Sequence, residues 1–563
     1  MPIVGIDLGT TNSLVACFRD GRSRILPNAQ GELLTPSVVS VLESGELVVG
    51  QAAKERLYTH PAVTAAAFKR FMGTKKAYRL GPHTFTPVEL SSLVLKSLKA
   101  DAAAALGEPV VEAVVSVPAY FNEQQRRATQ QAGELAGLTV QRLVSEPTAA
   151  ALAYGLHETD TETDRRFLVF DLGGGTFDVS IVELFYNILE VKAVAGDGFL
   201  GGEDFDQAIA TWFATTQGLA PTGKDAAIIK EKAEAAKRQL TDADPVEMKV
   251  TLGDTPLTAT LTRDQLAVIA EPLLDRIRQP VLRAMHDARL RPSDLAQVIL
   301  VGGSSRMPLI REYAATLFDR TPLDAINPDE AVALGAGVAA ALKERHVDLA
   351  ERLVTDVCPY TLGTNICSEN RLGGLTPNVY LPIIERNTVI PCSKVQRLTT
   401  IVDDQREILI TVYQGESRQA DQNLKLGELM IDIPPKPAGQ ARVDVRYTYD
   451  INGLLEVEVT SVDTKETKRE VIVNSENQLS PAEIEDCLKR LSALKIHPRD
   501  QASNQFLLSR AERLYEEALG DARIRIGEET RTFEAILDKQ DSGLIDRAAA
   551  EFAVFLDEME RRL

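Results

Sequence analysis

Ile3-Val4-Gly5-Ile6-Asp7-Leu8-Gly9-Thr10-Thr11-Asn12-Ser13 and Phe167-Leu168-Val169-Phe170-Asp171-Leu172-Gly173-Gly174-Gly175-Thr176-Phe177-Asp178 are one motif written twice. Each copy is a short apolar β-run that ends in an aspartate, passes through a turn of glycine and threonine, and continues into a second β-run, 14–18 or 179–184. The pattern predicts a hairpin whose tip carries a carboxylate and several small hydrogen-bonding groups. Such a tip suits phosphate: glycine admits an anion to the backbone N–H groups, threonine adds a hydroxyl donor, and aspartate holds a hydrated Mg²⁺ that phosphate also contacts. A single Gly-Thr turn after a strand is common. Two copies that agree on strand, Asp, Gly and Thr predict related half-domains clasping one nucleotide between them.

The rest of the chain has to house that clasp. Its 563 residues predict roughly three or four domains at about 150 residues each. A net charge of −19 offers no basic face for nucleic acid. Cys17, Cys358, Cys367, Cys392 and Cys487 form no C-x-x-C pair, so neither a zinc site nor a disulfide framework is expected, and a reducing cytoplasm suits them. The first β-run begins at residue 3, which leaves no room for a signal peptide, and no apolar run approaches the roughly 20 residues that cross a bilayer. The six histidines show no metal-ligand spacing.

Residues 1–345 alternate β-runs with amphipathic helices and read as α/β with parallel strands. Asn327-Pro328-Asp329-Glu330 predicts a capped helix start, and the Ala333, Gly335, Gly337 and Ala340 that follow predict a small-residue face for close backbone packing. A connector, 346–357, leads to 358–477, where strict alternation such as Ile408, Ile410 and Val412 against Leu409, Thr411 and Tyr413 predicts antiparallel β-structure. Asp450-Ile451-Asn452-Gly453 reads as a hairpin turn there. From 478 to 563, after the capping signal Ser480-Pro481-Ala482-Glu483, the periodicity is helical and predicts a small bundle.

Two glycine motifs point elsewhere. Gly196-Asp197-Gly198-Phe199-Leu200-Gly201 fits the dinucleotide fingerprint, but the helical stretch 224–240 stands where the next strand and its ribose-binding acid should be. Gly201 and Gly202 are instead expected to touch the nucleotide. The segment 218–224 resembles a phosphate loop, but Asp225 replaces the Mg²⁺-binding hydroxyl and no β-run precedes it. Three further segments stand out on residue type alone. Lys69-Arg70 lies in a short glycine-bounded stretch, Glu234, Lys237, Arg238 and Thr241 share a helix face, and Val301-Gly302-Gly303-Ser304-Ser305-Arg306-Met307-Pro308 forms a strand-to-helix glycine turn where an adenosine fits.

IDLGTTNS at 6–13, VPAYFNEQQRRAT at 117–129, EPTAAALAYG at 146–155, FDLGGGTFDVS at 170–180, GGEDFD at 201–206, VGGSSRMP at 301–308 and INPDEAVALGA at 326–336 resemble, in order, the DnaK-type heat-shock chaperones. The resemblance runs from residue 3 to about 500. It implies a multidomain chain: an actin-like two-lobed ATPase domain (1–345), a linker (346–357), an antiparallel β-sandwich that binds substrate (358–477) and a helical lid (478–563). It further implies ATP or ADP with Mg²⁺, and K⁺, as ligands. Asp7 and Asp171 correspond to the Mg²⁺ carboxylates, and Thr10, Thr11, Asn12, Gly173, Gly174, Gly175 and Thr176 to the phosphate turns. Lys69, Glu146, Asp171, Thr176 and Asp178 correspond to the catalytic set. Gly201, Gly202, Glu203, Glu234, Lys237, Arg238, Thr241, Gly302, Gly303, Ser304, Arg306 and Asp329 correspond to the rest of the nucleotide pocket, with Arg238 and Arg306 flanking the base. Pro118 and Arg126 resemble a relay to the peptide domain, joined there by Leu353 and Val354 of the linker. Ile366, Leu398, Ile401, Ile408 and Ile410 are, by position, the lining of the peptide slot, although alternating residues of any β-core would look alike.

The implied activity is an ATP-dependent chaperone in the cytoplasm that binds and releases extended apolar segments of unfolded clients. The expected partners are a J-domain co-chaperone and, less firmly tied to the sequence, a nucleotide-exchange factor, with no nucleic acid or membrane. A small-molecule kinase of the same superfamily is the rival for residues 1–345, and a nucleotide-dependent filament protein is another; neither has a use for 358–563. The chain departs from the general chaperone in a much shorter segment between Gly73 and Glu89, in a connector with two central aliphatics, in an altered 367–377 loop and in a lid that stops at Leu563. These departures resemble the specialised bacterial HscC branch and leave open the strength of interdomain coupling and of J-domain stimulation.

Overall fold

The computed structural model describes residues 2–155, 165–344, 353–369, 374–450 and 454–472, apart from 44, 186–187, 254 and 324–325, together with parts of 504–562. The chain divides into two compact units, Met1–Pro359 and Tyr360–Leu563. No helix among the described residues is long and apolar enough to cross a membrane.

The first unit is built on the repeated motif. In its first lobe β1 (Ile3–Asp7), β2 (Asn12–Arg19) and β3 (Arg22–Leu26) form an antiparallel meander, and β4 (Glu112–Val117) and β5 (Thr139–Ser145) extend it in parallel from β1, in the order β5-β4-β1-β2-β3. The second lobe repeats the plan. The strands β6 (Arg165–Leu172), β7 (Phe177–Phe185) and β8 (Ile188–Asp197) form the meander, and β9 (Gln297–Val301) lies parallel to β6. One strand from the connector, β10 (Leu353–Val357), lies parallel to β8, so Leu353 and Val354 pair with Ile188 and Leu189. The first strand of each meander ends at or one residue past the aspartate, which puts both glycine turns at hairpin tips.

Helices cover the sheets where the sequence supplies starts for them. Helix α1 (Pro87–Leu106) begins at Thr86, whose side chain and that of Glu89 satisfy each other's backbone N–H. Asn122 and Gln125 do the same for α2 (Glu123–Leu135), with both bonds at 3.0 Å. The helix α3 (Glu146–Gly155) follows β5 directly. In the second lobe α4 (Gly202–Thr216) and α5 (Gly223–Gln239) pack with a two-stranded ribbon on their own core, and α6 (Arg263–Asp287) buries Ala270, Ile277, Val281 and Ala284 on the sheet. As expected, α5 occupies the place a dinucleotide fold would give to its second strand, and a helix rather than a strand leads into 218–224.

The helix α7 (Ala331–Lys343) begins one turn later than the Asn-Pro-Asp-Glu signal suggests. Asn327 caps a turn instead, accepting from the Asp329 N–H at 3.2 Å, and Asp329 is drawn to Arg306 at 2.6 Å, so 328–330 stay outside the helix. Its small-residue face packs as the sequence predicts. A Cβ on Gly335 would lie 1.6 Å from the Ala149 carbonyl oxygen of α3, and one on Gly5 of β1 would lie 2.1 Å from the Ala336 backbone.

The second unit has two antiparallel sheets. In the first, β11 (Leu362–Glu369), β12 (Leu375–Ile384), β14 (Glu407–Gln414) and β15 (Leu424–Asp432) run in the order β12-β11-β14-β15. The other runs β13 (Cys392–Thr399), β16 (Arg442–Tyr449), β17 (Leu455–Ser461) and β18 (Thr467–Val471) in chain order. Ile410, Val412, Leu429 and Ile431 from one and Val443, Val445, Val457 and Val459 from the other are buried, and the Tyr447 hydroxyl donates to the Gly363 carbonyl at 2.9 Å across the core. Helices α8 (Gly520–Asp538) and α9 (Ser542–Arg562) pack through Phe533 and Phe552, ring centroids 4.7 Å apart. The turn residues 451–453, the capping signal at 480–483, residues 346–352 of the connector and 370–373 of the altered loop lie outside the described residues.

Gly335→Ala tests the close helix packing. Helix propensity favours alanine by about 1 kcal/mol, but overpacking against the α3 backbone costs about 3 kcal/mol, so the variant is expected to unfold at lower denaturant; an unchanged or raised midpoint would refute the contact.

Candidate functional site

The two hairpin tips meet. A Cβ on Gly174 would lie 1.8 Å from the Thr11 hydroxyl oxygen and one on Gly175 2.6 Å from Thr10 Cγ2, so the tips touch at distances only glycine allows. The second tip is fixed from behind. The Gly173 carbonyl accepts from the Gly202 N–H at 3.0 Å and from the Ser304 hydroxyl at 2.9 Å, the Gly174 carbonyl from the Glu203 N–H at 2.9 Å, and the Gly175 carbonyl from Arg70 Nε at 2.8 Å. In a trans peptide the N–H points opposite the carbonyl, so the N–H groups of Gly174, Gly175 and Thr176 are aimed away from these partners. The first tip is braced by Ser37, whose hydroxyl donates to the Gly9 carbonyl at 2.8 Å and whose N–H donates to the Thr11 carbonyl.

Between the tips lies a cleft of about 610 Å³. Asp7, Thr10, Thr11, Asn12, Lys69, Glu146, Asp171, Gly173, Gly174 and Thr176 line one end. Gly202, Glu203, Glu234, Lys237, Arg238, Thr241, Gly302, Gly303, Ser304, Arg306 and Asp329 line the remainder. Of the nucleotide residues expected from sequence, Gly175 and Gly201 stand behind the wall, where a Cβ on Gly201 would lie 2.5 Å from the Gly175 nitrogen. Asp178 also stands behind it, paired with Asp171 across β6 and β7.

The electrostatics are those of several buried carboxylates around one ammonium. Lys69 is 3% exposed and sits 2.5 Å from Glu146. Burial, then the charge of Glu146, pushes Asp7 up to about 7, despite a 2.7 Å hydrogen bond from the Ser116 hydroxyl. Burial and Glu146, with Asp178 and Asp7 behind them, push Asp171 well above the usual carboxylate range. Burial and Glu146 also raise Asp178 to about 8, although the Tyr120 N–H donates to it at 3.0 Å. One buried lysine is too little positive charge for so many buried carboxylates. Carboxylate and hydroxyl oxygens are the hard donors that Mg²⁺ prefers, and the Thr11 hydroxyl is buried with no hydrogen-bond partner among the described residues. Both observations fit a magnesium-phosphate group.

At the far end Arg306 reaches Asp329 at 2.6 Å and also bonds Asn327, while Arg238 is 65% exposed, 3.9 Å from Glu234. Lys237, on the helix face it shares with Glu234, Arg238 and Thr241, is buried: it pairs with Asp206 at 2.7 Å and donates to the Gly202 carbonyl at 3.1 Å. Burial lifts Asp206 to about 6 against the pull of Lys237. Asp206 was not singled out, although it closes the GGEDFD motif; its signal is an acid one helical turn after the glycines. Lys54, Lys230 and Glu231 also line the cleft and carry no local sequence signal.

Behind the site, Arg126 is 6% exposed and donates to the Phe121 and Ala119 carbonyls at 3.2 and 3.4 Å. That holds the loop after Pro118, whose Tyr120 reaches Asp178 and whose Phe121 ring lies 5.8 Å from the Lys69 ammonium. In the second unit Ile408 and Ile410 are buried on β14, Ile366 and Leu398 are half-buried on β11 and β13, and Ile401 is exposed.

The raised carboxylates predict a pH dependence. Their ordinary value is 3.8, so between about pH 4 and pH 8 the folded chain holds protons that the unfolded chain has released, and stability falls as pH rises through that window. Mg²⁺ with ADP favours the ionised carboxylates, so its increment in melting temperature is expected to be larger at pH 8 than at pH 5. Equal increments would contradict the charge argument.

A family model described as Hsp70 protein matches residues 3–79 and 74–534. The two stretches overlap at 74–79. A match over nearly the whole chain, joined to a duplicated pair of lobes that close their glycine turns on one cleft, makes this protein a member of the Hsp70 family.

Proposed function

We propose that this chain is an ATP-driven peptide clamp, in which hydrolysis in the first unit times the hold of the second on an extended apolar client segment. The Hsp70 family comprises ATP-dependent chaperones that hydrolyse ATP, bind ATP or ADP with Mg²⁺, and take unfolded polypeptides and co-chaperones as partners. The observation that carries the reading for this chain is the partnerless Thr11 hydroxyl beside the Gly174 turn, facing a surplus of buried carboxylates.

Bound Mg²⁺ supplies charge neutralisation at the transferred phosphoryl group. Asp7 and Asp171 would hold the ion. Thr10, Thr11, Asn12 and the N–H groups of 174–176 donate to phosphate oxygens. Lys69, oriented by Glu146, positions the attacking water and stabilises the charge that develops, and Thr176 and Asp178 complete the set. Glu234, Lys237, Arg238, Thr241, Gly302, Gly303, Ser304, Arg306 and Asp329 hold the adenosine, with Gly201, Gly202 and Glu203 near its phosphates. The Pro118 loop and Arg126 carry the state of Asp178 and Lys69 outward, and Leu353 and Val354, paired beside β8, receive it.

The client is proposed to lie against Ile366, Leu398, Ile401, Ile408 and Ile410. Pairing between β11 and β14 runs from Leu362↔Gln414 to Thr364↔Val412, which leaves Ile366 and Ile410 past the last pair. Strands that part there favour an apolar slot edged by unpaired backbone, a setting for an extended peptide. A kinase would need an acceptor site and would leave the second unit without a purpose. The hairpin of Tyr78–Leu80 and His83–Phe85 in place of a longer insertion supports the HscC branch. A J-domain partner, K⁺, a cytoplasmic setting and a reduced need for an exchange factor complete the proposal.

ATP is expected to accelerate release of a bound fluorescent apolar peptide from the full chain; a release rate indifferent to ATP overturns the two-unit cycle. Lys69→Ala and Thr176→Ala should each slow single-turnover hydrolysis about 10²-fold or more while ADP still binds. Loss of binding in step with hydrolysis would reduce these residues to nucleotide contacts.

A further inference from the structure

Arg70 follows Lys69 in the short turn Phe68–Phe71, yet the cycle above leaves it without a role. Its side chain is 12% exposed and reaches out of the first lobe into the second. Nε donates to the Gly175 carbonyl at 2.8 Å, and a terminal nitrogen donates to Asp204 Oδ2 at 2.6 Å. The other terminal nitrogen lies 3.8 Å from Glu203. Asp204 Oδ2 also accepts from the Gly201 N–H at 2.8 Å, so the carboxylate that anchors Arg70 ties down the start of α4. The aliphatic stem closes the contact, since a Cβ on Gly175 would lie 3.0 Å from Arg70 Cγ and Cδ.

The Gly175 carbonyl belongs to the same peptide as the Thr176 N–H. Holding one fixes the direction of the other, and with it the start of the backbone that carries the Thr176 hydroxyl. Lys69, on the opposite side of the cleft, is covalently adjacent to Arg70. A guanidinium suits this place because its rigid fork serves two acceptors in different elements, whereas an ammonium cannot hold both in one geometry.

We propose that Arg70 is a positioning residue for ATP hydrolysis: it locks the Thr176 peptide to the turn bearing Lys69, so the two halves of the catalytic set come into register only when the lobes are closed. The inference rests on the ATPase reading above. Arg70 does not line the cleft, so its effect is on the chemical step and not on nucleotide contact.

The test compares wild type, Arg70→Ala, Arg70→Lys, Asp204→Asn, Arg70→Ala/Asp204→Asn and Lys69→Ala as full chains, each checked for a cooperative melt. Single-turnover ATP hydrolysis and Mg²⁺-ADP affinity are measured. Arg70→Ala is expected to slow hydrolysis about 10²-fold while ADP affinity changes by less than about 3-fold. Arg70→Lys should restore little of the rate, Asp204→Asn should fall in the same direction, and the double variant should be no slower than Arg70→Ala alone, because both act through one contact. Hydrolysis at the wild-type rate in Arg70→Ala or Arg70→Lys overturns the proposal, as does a loss of ADP affinity equal to the loss of rate, or losses that multiply in the double variant. If Arg70→Ala does not fold, Arg70→Lys and Asp204→Asn, which keep volume and hydrogen bonding, decide the matter. Lys69→Ala separates the two levels: if it is inactive while Arg70→Ala is not, only the positioning role falls, and if it hydrolyses ATP like wild type, the catalytic assignment falls with it.

Discussion

Everything in the first unit depends on two backbone turns approaching more closely than any side chain permits. Gly174 stands against the Thr11 hydroxyl, Gly175 against Thr10 and the stem of Arg70, and Gly201 against the Gly175 nitrogen. A methyl group at any of these places would push the hairpin tips apart, and the cleft between them is what the carboxylates, Lys69 and the far-side arginines share. Close packing elsewhere serves the same end: Gly5 and Gly335 let α7 lie between β1 and α3, at the point where the two lobes adjoin. Lobes that meet through glycines come together at little steric cost.

The duplication is not symmetric, and the asymmetry has a physical use. The first tip is held by side chains of its own lobe, chiefly Ser13 and Ser37. The second is held from behind by α4, by Ser304 and by Arg70, which belongs to the other lobe. The first lobe supplies the cation Lys69 and the second supplies Thr176 and Asp178. The buried carboxylates that surround Lys69 are unfavourable in the folded chain when no cation is bound, since burial and mutual repulsion both oppose their ionisation. Natural sequences tolerate such local conflict where function requires it. A Mg²⁺-nucleotide held there, as proposed, would relieve that conflict.

The second unit contributes a different kind of surface. Its core is closed by alternating apolar residues and by Tyr447, whose hydroxyl finds the Gly363 carbonyl between the sheets. At one end the strands β11 and β14 stop pairing, so backbone and apolar side chains stand next to each other. The connector reaches the first unit's sheet as a parallel strand beside β8, the third strand of the meander that carries Asp171 and Thr176. Two aliphatics, Leu353 and Val354, are enough for that pairing because a β-ladder is held by backbone hydrogen bonds.

The sequence by itself determined the repeat, the α/β then β then helical order, and the glycine turns and most of the charged residues that line the cleft. These are legible because strands, glycine turns and capping signals are local, and because a motif repeated at a distance betrays a duplicated fold. It also disposed of both misleading glycine motifs, since each needed a strand where the helical periodicity, and then α4 and α5, stood. Only the tertiary structure decided that Lys237 is buried on Asp206, that Gly175, Gly201 and Asp178 stand behind the wall, and that Asn327 caps a turn before α7 begins. Only it revealed Arg70, whose partners lie 105 and 134 residues away. The reason is the range of the interactions: periodicity and turn chemistry act over a few residues, whereas burial, ion pairing and the direction of a carbonyl are set by whichever elements the fold brings together.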